Sequence, residues 1–267
     1  MKIRPGIELA NLTDVGCERA ENEDSFCYAE PESDEELLKR GRLVVIADGM
    51  GGQEGGQIAS GIAVDTVREI FLNGPAGDPA SALEAAYLSA HLAIQNHARE
   101  HPELAGMGTT CTSAILRDGH ITYGHVGDSR LYLLRGGAIG RLTRDQSYVQ
   151  HMVEIGVISP EEAATHPSRN ILTSALGAAA NVEADFAEAP IRLESADVLL
   201  FCTDGLHGQV SDDEMLGAAS ENPPREACVK LVELAKSRGG PDNITIQIVR
   251  IEGTPEASQE DAASAAS

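Results

Sequence analysis

Basic residues are scarce in this chain: 20 Lys and Arg stand against 42 Asp and Glu, a formal net charge of -22. Nucleic acid and anionic membranes both need basic patches, so neither is expected as a main partner, whereas divalent cations suit such a composition. Long apolar runs are lacking as well. None approaches the roughly 18 residues of a membrane span, and the opening MKIRPGIELANLTDVG lacks the apolar stretch of a signal peptide. A cytoplasmic location is the expectation. The five cysteines, Cys17, Cys27, Cys111, Cys202 and Cys228, are odd in number and never form C-x-x-C. Neither a zinc ribbon nor a disulfide framework is indicated, and all are read as buried free thiols. With 267 residues, 42% of them apolar, and no linker-like stretch, a single domain over residues 1–252 is expected. From Gly253 to Ser267 the chain is Ala, Ser, Glu and Asp without apolar periodicity and reads as a disordered tail.

What is present has two periods. Apolar runs at Leu43–Ala47, Thr109–Leu116, Ile121–Val126, Leu131–Leu134, Val198–Cys202 and Ile244–Ile251 predict strands. Ala59, Ile62, Ala63, Thr66 and Ile70, then Leu83, Ala86, Tyr87, Ala90 and Ile94, recur at helical spacing, as do Cys228, Leu231, Val232 and Ala235. Ser211 to Glu214 and Ser159 to Glu162 are capping boxes, the second with Pro160 at the first helical position. Helices and strands come in groups. That favours an α+β fold with mainly antiparallel sheets over a doubly wound parallel sheet.

Aspartates end or precede several of these runs: Asp48 in VVIADGMGG, Asp128 in GHVGDSR, Asp204 in LLFCTDG and Asp242 in GGPDNITI. Carboxylates at strand ends are expensive unless something cationic meets them. Asp204 follows its strand and Asp242 precedes one, so antiparallel pairing of those two strands puts both acids at one edge. Oxygen ligands without His or Cys select hard cations such as Mg²⁺ or Mn²⁺. Arg19, in TDVGCERAENEDS, stands just ahead of Glu23 and Asp24. It is either a guanidinium aimed at a phosphate beside the metals or a solvated residue of a charged loop. Gly51, Gly52, Gly55 and Gly56 lack the spacing and lysine of a phosphate-binding loop; they predict a sharp turn before a helix starting near Gln57. Core packing explains Thr109 and Thr110 as well as function does, and Ser129 and Arg130 are expected to stabilise a local turn.

Together, TDVGCERAENEDS, VVIADGMGGQEGG, GTTCTSAIL, VGDSRLYLLR, HPSRNILTSALG, LLFCTDGL and GGPDNITI follow one another from about Ile7 to Arg250. In order and spacing they resemble the metal-dependent serine/threonine protein phosphatases of the 2C type, especially the bacterial branch. The resemblance implies an αββα sandwich of two mainly antiparallel sheets flanked by helices, with a flap over residues 146–177. It also implies two Mn²⁺ or Mg²⁺ ions, with a weaker third in bacterial members. Asp48 would bridge the two ions, with the Gly49 carbonyl on the second; Asp204 and Asp242 would hold the first. Glu23 and Asp24 would bind or orient the waters of the second ion, Asp128 would hold the third, and Arg19 would hold the substrate phosphate. The implied partners are proteins phosphorylated on serine or threonine and a cognate serine/threonine kinase.

The chemistry supplies its own rationale for metals. Phosphate monoesters hydrolyse so slowly that enzymes accelerate them by up to about 10²¹-fold, at about 1.36 kcal/mol per factor of ten. Two ions can acidify a shared water, align it in line with phosphorus and neutralise the nonbridging oxygens. Cys17 lacks the C-x₅-R loop of cysteine phosphatases. Departures from the family fall at the leaving group: Met50, Gln53 and Gln146 stand where histidines are common in relatives, and a missing general acid is worth about 10²- to 10⁴-fold in rate. Metal-bound water and His166, reaching in from the flap, are the candidate substitutes, although His166 is read chiefly as a structural residue of the flap; His207 is either a support for Asp204 or exposed. A second reading therefore stays open, a catalytically weak relative that binds phosphoproteins or senses a signal.

Overall fold

A computed structural model describes residues 3–51, 54–178 and 182–253; Gly52, Gln53 and the tail from 254 onward lie outside them. The chain runs β1 (Ile7–Asp14), β2 (Asp24–Ala29), α1 (Asp34–Arg40), β3 (Arg42–Met50), α2 (Gly55–Asn73) and α3 (Pro79–Glu100). It continues with β4 (Gly108–Thr109), β5 (Cys111–Arg117), β6 (His120–Val126), β7 (Arg130–Arg135), β8 (Ala138–Arg141), α4 (Tyr148–Glu154) and α5 (Pro160–Ala164). Last come β9 (Asp185–Phe186), β10 (Ile191–Arg192), β11 (Val198–Cys202), α6 (Asp204–His207), α7 (Asp212–Glu221), α8 (Pro224–Ser237) and β12 (Ile244–Ile251).

One sheet has the order β1-β12-β11-β7-β8; the other has β10-β6-β5-β3-β2, with β9 beside β6 and β4 beside β3. All of the described pairings are antiparallel. Strand β3 shows why the sheets stack. Successive side chains point to opposite faces, and both faces of β3 are apolar. Val44 and Ile46 join Leu131, Leu199, Phe201 and Val249 in the layer between the sheets. Leu43, Val45 and Ala47 pack instead with Ala59, Ala63, Val67 and Phe71 of α2 and with Leu83, Tyr87 and Ile94 of α3. On the far side Tyr132, Leu200, Ile246 and Ile248 meet Met215 of α7 and Leu231 and Val232 of α8. Helix, sheet, sheet, helix is the only layering that buries all of these faces, and it is the αββα sandwich expected.

The helices start largely where their signals place them. Both capping boxes are formed, and the Asp78 carboxylate caps α3 with Pro79 in its first turn. Helix α2 begins at Gly55, ahead of Gln57, without a side-chain cap. Its buried line is Ala59, Ala63, Val67 and Phe71, whereas Ile62 and Ile70 are only partly covered. The run Thr109–Leu116 is divided at Thr110 into β4 and β5. β1 and β2 are absent from the expected strands because both are edge strands. Such strands keep polar residues, and IELANLTD and DSFCYA show no continuous apolar run. Among the described residues no helix is long and apolar enough to cross a membrane.

Candidate metal centre

Register brings the acids together. Asp24 pairs with Asp48 across β2 and β3. Cys202 pairs with Ile246 on one side of β11 and with Arg130 on the other, so Asp204, Asp242 and Asp128, each two to four residues away along the chain, collect at the same edge. The two sheets are joined there by one carboxylate. Asp24 Oδ2 accepts from Thr203 Oγ at 2.9 Å and from Thr245 Oγ at 2.6 Å, which ties β2 of one sheet to the other. The backbone of Asp48 is fixed by two threonines. Its amide donates to Thr110 Oγ at 2.8 Å, and its carbonyl accepts from the Thr109 hydroxyl and the Thr110 amide, both at 2.9 Å. Core packing alone does not describe Thr109 and Thr110.

Burial makes Asp24, Asp48, Asp128 and Asp204 costly to charge. It pushes Asp24 up to about 7, against the hydrogen bonds from Thr245 and Thr203, with Asp204 and Asp242 adding to the rise. Asp204 rises to about 6 through burial and then Asp242. Burial also lifts Asp48 well above the carboxylate range, followed by the charges of Asp24, Asp204, Asp128 and Asp242. For Asp128 the same burial is followed by Asp204. Glu23 is raised by burial as well, against the pull of Arg19. One oxygen each of Asp24 and Asp204 is buried with no hydrogen-bond partner, where an uncompensated acceptor carries a desolvation penalty of about 1–3 kcal/mol. Cations would relieve both problems.

Among the described residues no three His, Cys, Asp or Glu side chains are already drawn together as a ligand set. Asp242 is engaged elsewhere: its Oδ2 accepts from Arg19 Nη2 at 2.8 Å. The all-oxygen donors, the orphaned oxygens and the mutual repulsion fit hard divalent ions. Glycines permit the close approach beside Asp48. A Cβ on Gly49 would lie 2.0 Å from the Gly56 carbonyl, and one on Gly56 would lie 2.5 Å from Glu23 Oε1. The Gly49 amide donates to the Glu23 carbonyl at 3.2 Å.

Arg19 is half exposed and paired with Asp242, so it is no freely solvated residue. Its loop is clamped by Asn243, which accepts from the Glu23 amide at 2.8 Å and donates to the Val15 and Glu21 carbonyls, each at 2.9 Å. A cleft of about 840 Å³ opens beside it, lined by Arg19, Asp128, Asp204, His207 and Asp242 and, across from them, by Val149, Val153 and Arg169 of the segment 146–177.

Several expectations need correction. Arg130 reaches beyond its own turn: it grips Asp145 through two hydrogen bonds of 3.0 and 2.6 Å and meets the Tyr132 hydroxyl at 3.0 Å. Gln146, which stands where histidine is common in relatives, is a buried staple. Its Oε1 accepts from the Gly127 amide at 3.0 Å, and its Nε2 donates to Asp185 Oδ2 at 3.0 Å and to the Glu183 carbonyl at 3.1 Å. His166 needs no correction: its Nδ1 accepts from the Ser168 amide at 3.1 Å, a turn-forming contact in keeping with the structural reading. His207 is not simply exposed. Its Nε2 donates to the Asp128 carbonyl at 3.0 Å, and burial followed by Arg130 pushes its ring down to about 3. Of the cysteines, Cys111, Cys202 and Cys228 are buried, Cys27 is partly so, and Cys17 is exposed because it sits on the surface loop ahead of Arg19.

With this geometry in place, comparison decides the family. The profile described as Protein phosphatase 2C matches residues 33–225. The chain belongs to the protein phosphatase 2C family. Within it, the chain is 36% identical over 245 residues to the serine/threonine protein phosphatase PstP of Mycobacterium tuberculosis, covering 92% of this chain and 45% of that protein. It is 34% identical over 249 residues to protein phosphatase PhpP of Streptococcus pneumoniae, covering 91% of this chain and 97% of PhpP. It thus spans about half of the first relative's length and nearly all of the second's. The PstP catalytic domain, solved in complex with two manganese ions, superposes with a TM-score of 0.80 at 34% identity, covering 92% of this chain and 99% of that one.

Proposed function

We propose that this protein phosphatase 2C family member hydrolyses phosphoserine and phosphothreonine in proteins with Mn²⁺ or Mg²⁺. The observation that carries the reading is the joining of crowded acids to one guanidinium: Asp24, which is buried, and Asp48, Asp204 and Asp242, which are partly covered, meet at a single edge, with Arg19 in contact with Asp242. Asp48, the Gly49 carbonyl, Asp204 and Asp242 would hold two cations, Glu23 and Asp24 would order their waters, and Asp128 would take a third. When bound, such a pair supplies acidity to water and positive charge against the phosphoryl oxygens.

The chain's own residues do the rest. Arg19 gives Nη2 to Asp242 and keeps its other donors for phosphate oxygens, a geometry that favours a planar guanidinium over an ammonium. Thr203 and Thr245 hold Asp24 by one oxygen and leave the other buried without a hydrogen-bond partner. The wall formed by Val149 and Val153 keeps part of the cleft apolar and so strengthens the charges inside it. Gln146 and His207 are committed to other contacts, and in this proposal a water supplies the proton to the leaving alkoxide. No covalent phosphoenzyme is needed.

Phosphoproteins are the substrates in this proposal, as the names of PstP and PhpP support, and a bacterial serine/threonine kinase is proposed as the opposing enzyme. A cytoplasmic location fits the five free thiols, since reducing compartments keep thiols unpaired. The test is a panel of matched phosphoserine, phosphothreonine and phosphotyrosine peptides assayed with Mn²⁺. Turnover of the first two in clear preference to the third is expected. Binding of the peptides without turnover by a folded, Mn²⁺-loaded protein would instead favour the phosphoprotein-sensing alternative.

A further inference from the structure

The turn that presents Asp128, between β6 and β7, is fastened on several sides. Gly127 exchanges two hydrogen bonds with Gln146: its amide donates to Oε1 at 3.0 Å, and its carbonyl accepts from the Gln146 amide at 2.7 Å. The next fastening is Ser129, whose hydroxyl meets that of Thr110 at 2.8 Å. Beyond the turn, Arg130 holds Asp145. Gly127 has φ +101°, and a Cβ there would lie 2.5 Å from Thr110 Cγ2, so the turn has no slack toward β5. The peptide of Asp128 itself is held from elsewhere. His207, on the short helix α6 whose first residue is Asp204, donates from Nε2 to the Asp128 carbonyl at 3.0 Å. A carbonyl only accepts, so the hydrogen of this imidazole sits on Nε2.

One side chain therefore joins the backbone carrying one acid to the helix carrying another. We propose that His207 is a positioning residue that fixes Asp128 relative to Asp204 and thereby sets the affinity of the outermost cation site, the one completed by Asp128. The inference rests on the metal-dependent reading above. His207 neither transfers a proton in the reaction nor touches substrate. Groups that orient a ligand from behind commonly change metal affinity by about 10- to 100-fold when removed.

The test is calorimetric titration of Mn²⁺ into chelator-treated protein, comparing wild type with His207→Gln, His207→Leu and Asp128→Asn. Wild type is expected to show tight binding plus a weaker event. Asp128→Asn should abolish the weaker event, and His207→Leu should weaken it about 10- to 100-fold with tight binding unchanged. His207→Gln, which retains a donor of similar reach, should restore it to within about threefold of wild type. His207→Asn is polar but too short to reach the carbonyl, and should reproduce the leucine result if the leucine variant does not fold. Combining His207→Leu with Asp128→Asn should add nothing to the loss from Asp128→Asn alone, as for residues acting through one another. Wild-type Mn²⁺ binding in His207→Leu and His207→Asn would overturn the proposal, as would equal weakening of every event in all of the His207 variants. Wild type that binds no Mn²⁺ would remove the metal-dependent reading itself, an outcome distinct from either.

Discussion

Arg19 donates from Nη2 to Asp242 Oδ2 across 2.8 Å, although 223 positions separate them in the chain. The contact places the one guanidinium expected to meet phosphate directly against an acid expected to meet metal.

That relationship separates stability from activity. The Arg19 side chain is 49% exposed, and pairs of this kind contribute only about 0–1 kcal/mol to folding. Arg19→Ala should therefore melt within a few degrees of wild type, whereas KM for a phosphothreonine peptide rises about tenfold or more. Arg19→Lys should recover only part of the loss, because a point charge lacks the fork of donors. Melting curves and steady-state kinetics on the same preparations check both halves.

The pair Arg130–Asp145 should behave in the opposite way. Its side chains are 20% and 10% exposed, and breaking a buried pair from one side costs about 3–5 kcal/mol. Asp145→Asn should be strongly destabilised near neutral pH. Burial alone would raise the Asp145 carboxyl, but the hydrogen bonds and charge of Arg130 more than reverse it and hold the group below its ordinary value. With the folded value lowered, its contribution is complete above about pH 4 and is lost as pH falls through the folded value. Urea midpoints measured from pH 7 down to pH 2 should show a steeper acid loss in wild type than in Asp145→Asn.

Thr245→Val tests the joint between the sheets. The substitution keeps the shape and removes the 2.6 Å hydrogen bond to Asp24. The protein should still fold, and Mn²⁺ affinity should fall by about 10- to 100-fold. Calorimetry on the metal-free variant reads this directly.

Metal removal should also show in folding. A ligand bound only by the native state stabilises it by about 2.7 kcal/mol at a hundred times its Kd. Mn²⁺ should therefore raise the melting temperature of wild type in a concentration-dependent way, and should do so far less for Asp48→Asn. Differential scanning calorimetry across a Mn²⁺ series supplies the comparison.

Legibility in the sequence followed burial and distance. The central strands were readable because Val44 and Ile46 are covered on one face and Val45 and Ala47 on the other, leaving an unbroken apolar run with an acid at its end. β1 and β2 were not, since edge positions tolerate Glu, Asn and Ser. Asp204 and Asp242 could be placed together from strand direction alone. Glu23 and Asp24 carried no such signal, and only the order of whole motifs singled them out. The supports of the acids were the least visible. Thr203 and Thr245 reach Asp24 across 179 and 221 positions, and His207 reaches Asp128 across 79; nothing local in TDGLH or DNITI specifies those partners. Gln146 is another such support: its amide is fully used in holding Gly127, Glu183 and Asp185.

Phosphate release from a phosphothreonine peptide, followed as Mn²⁺ is titrated into wild type and into Asp204→Asn, bears most directly on the central claim. Wild-type turnover should rise with Mn²⁺, saturate and be abolished by EDTA, with Asp204→Asn reduced by at least about a hundredfold, the scale on which removal of a group essential to phosphoryl transfer is felt. Turnover that ignores EDTA, or that survives in Asp204→Asn at the wild-type rate, would contradict the account.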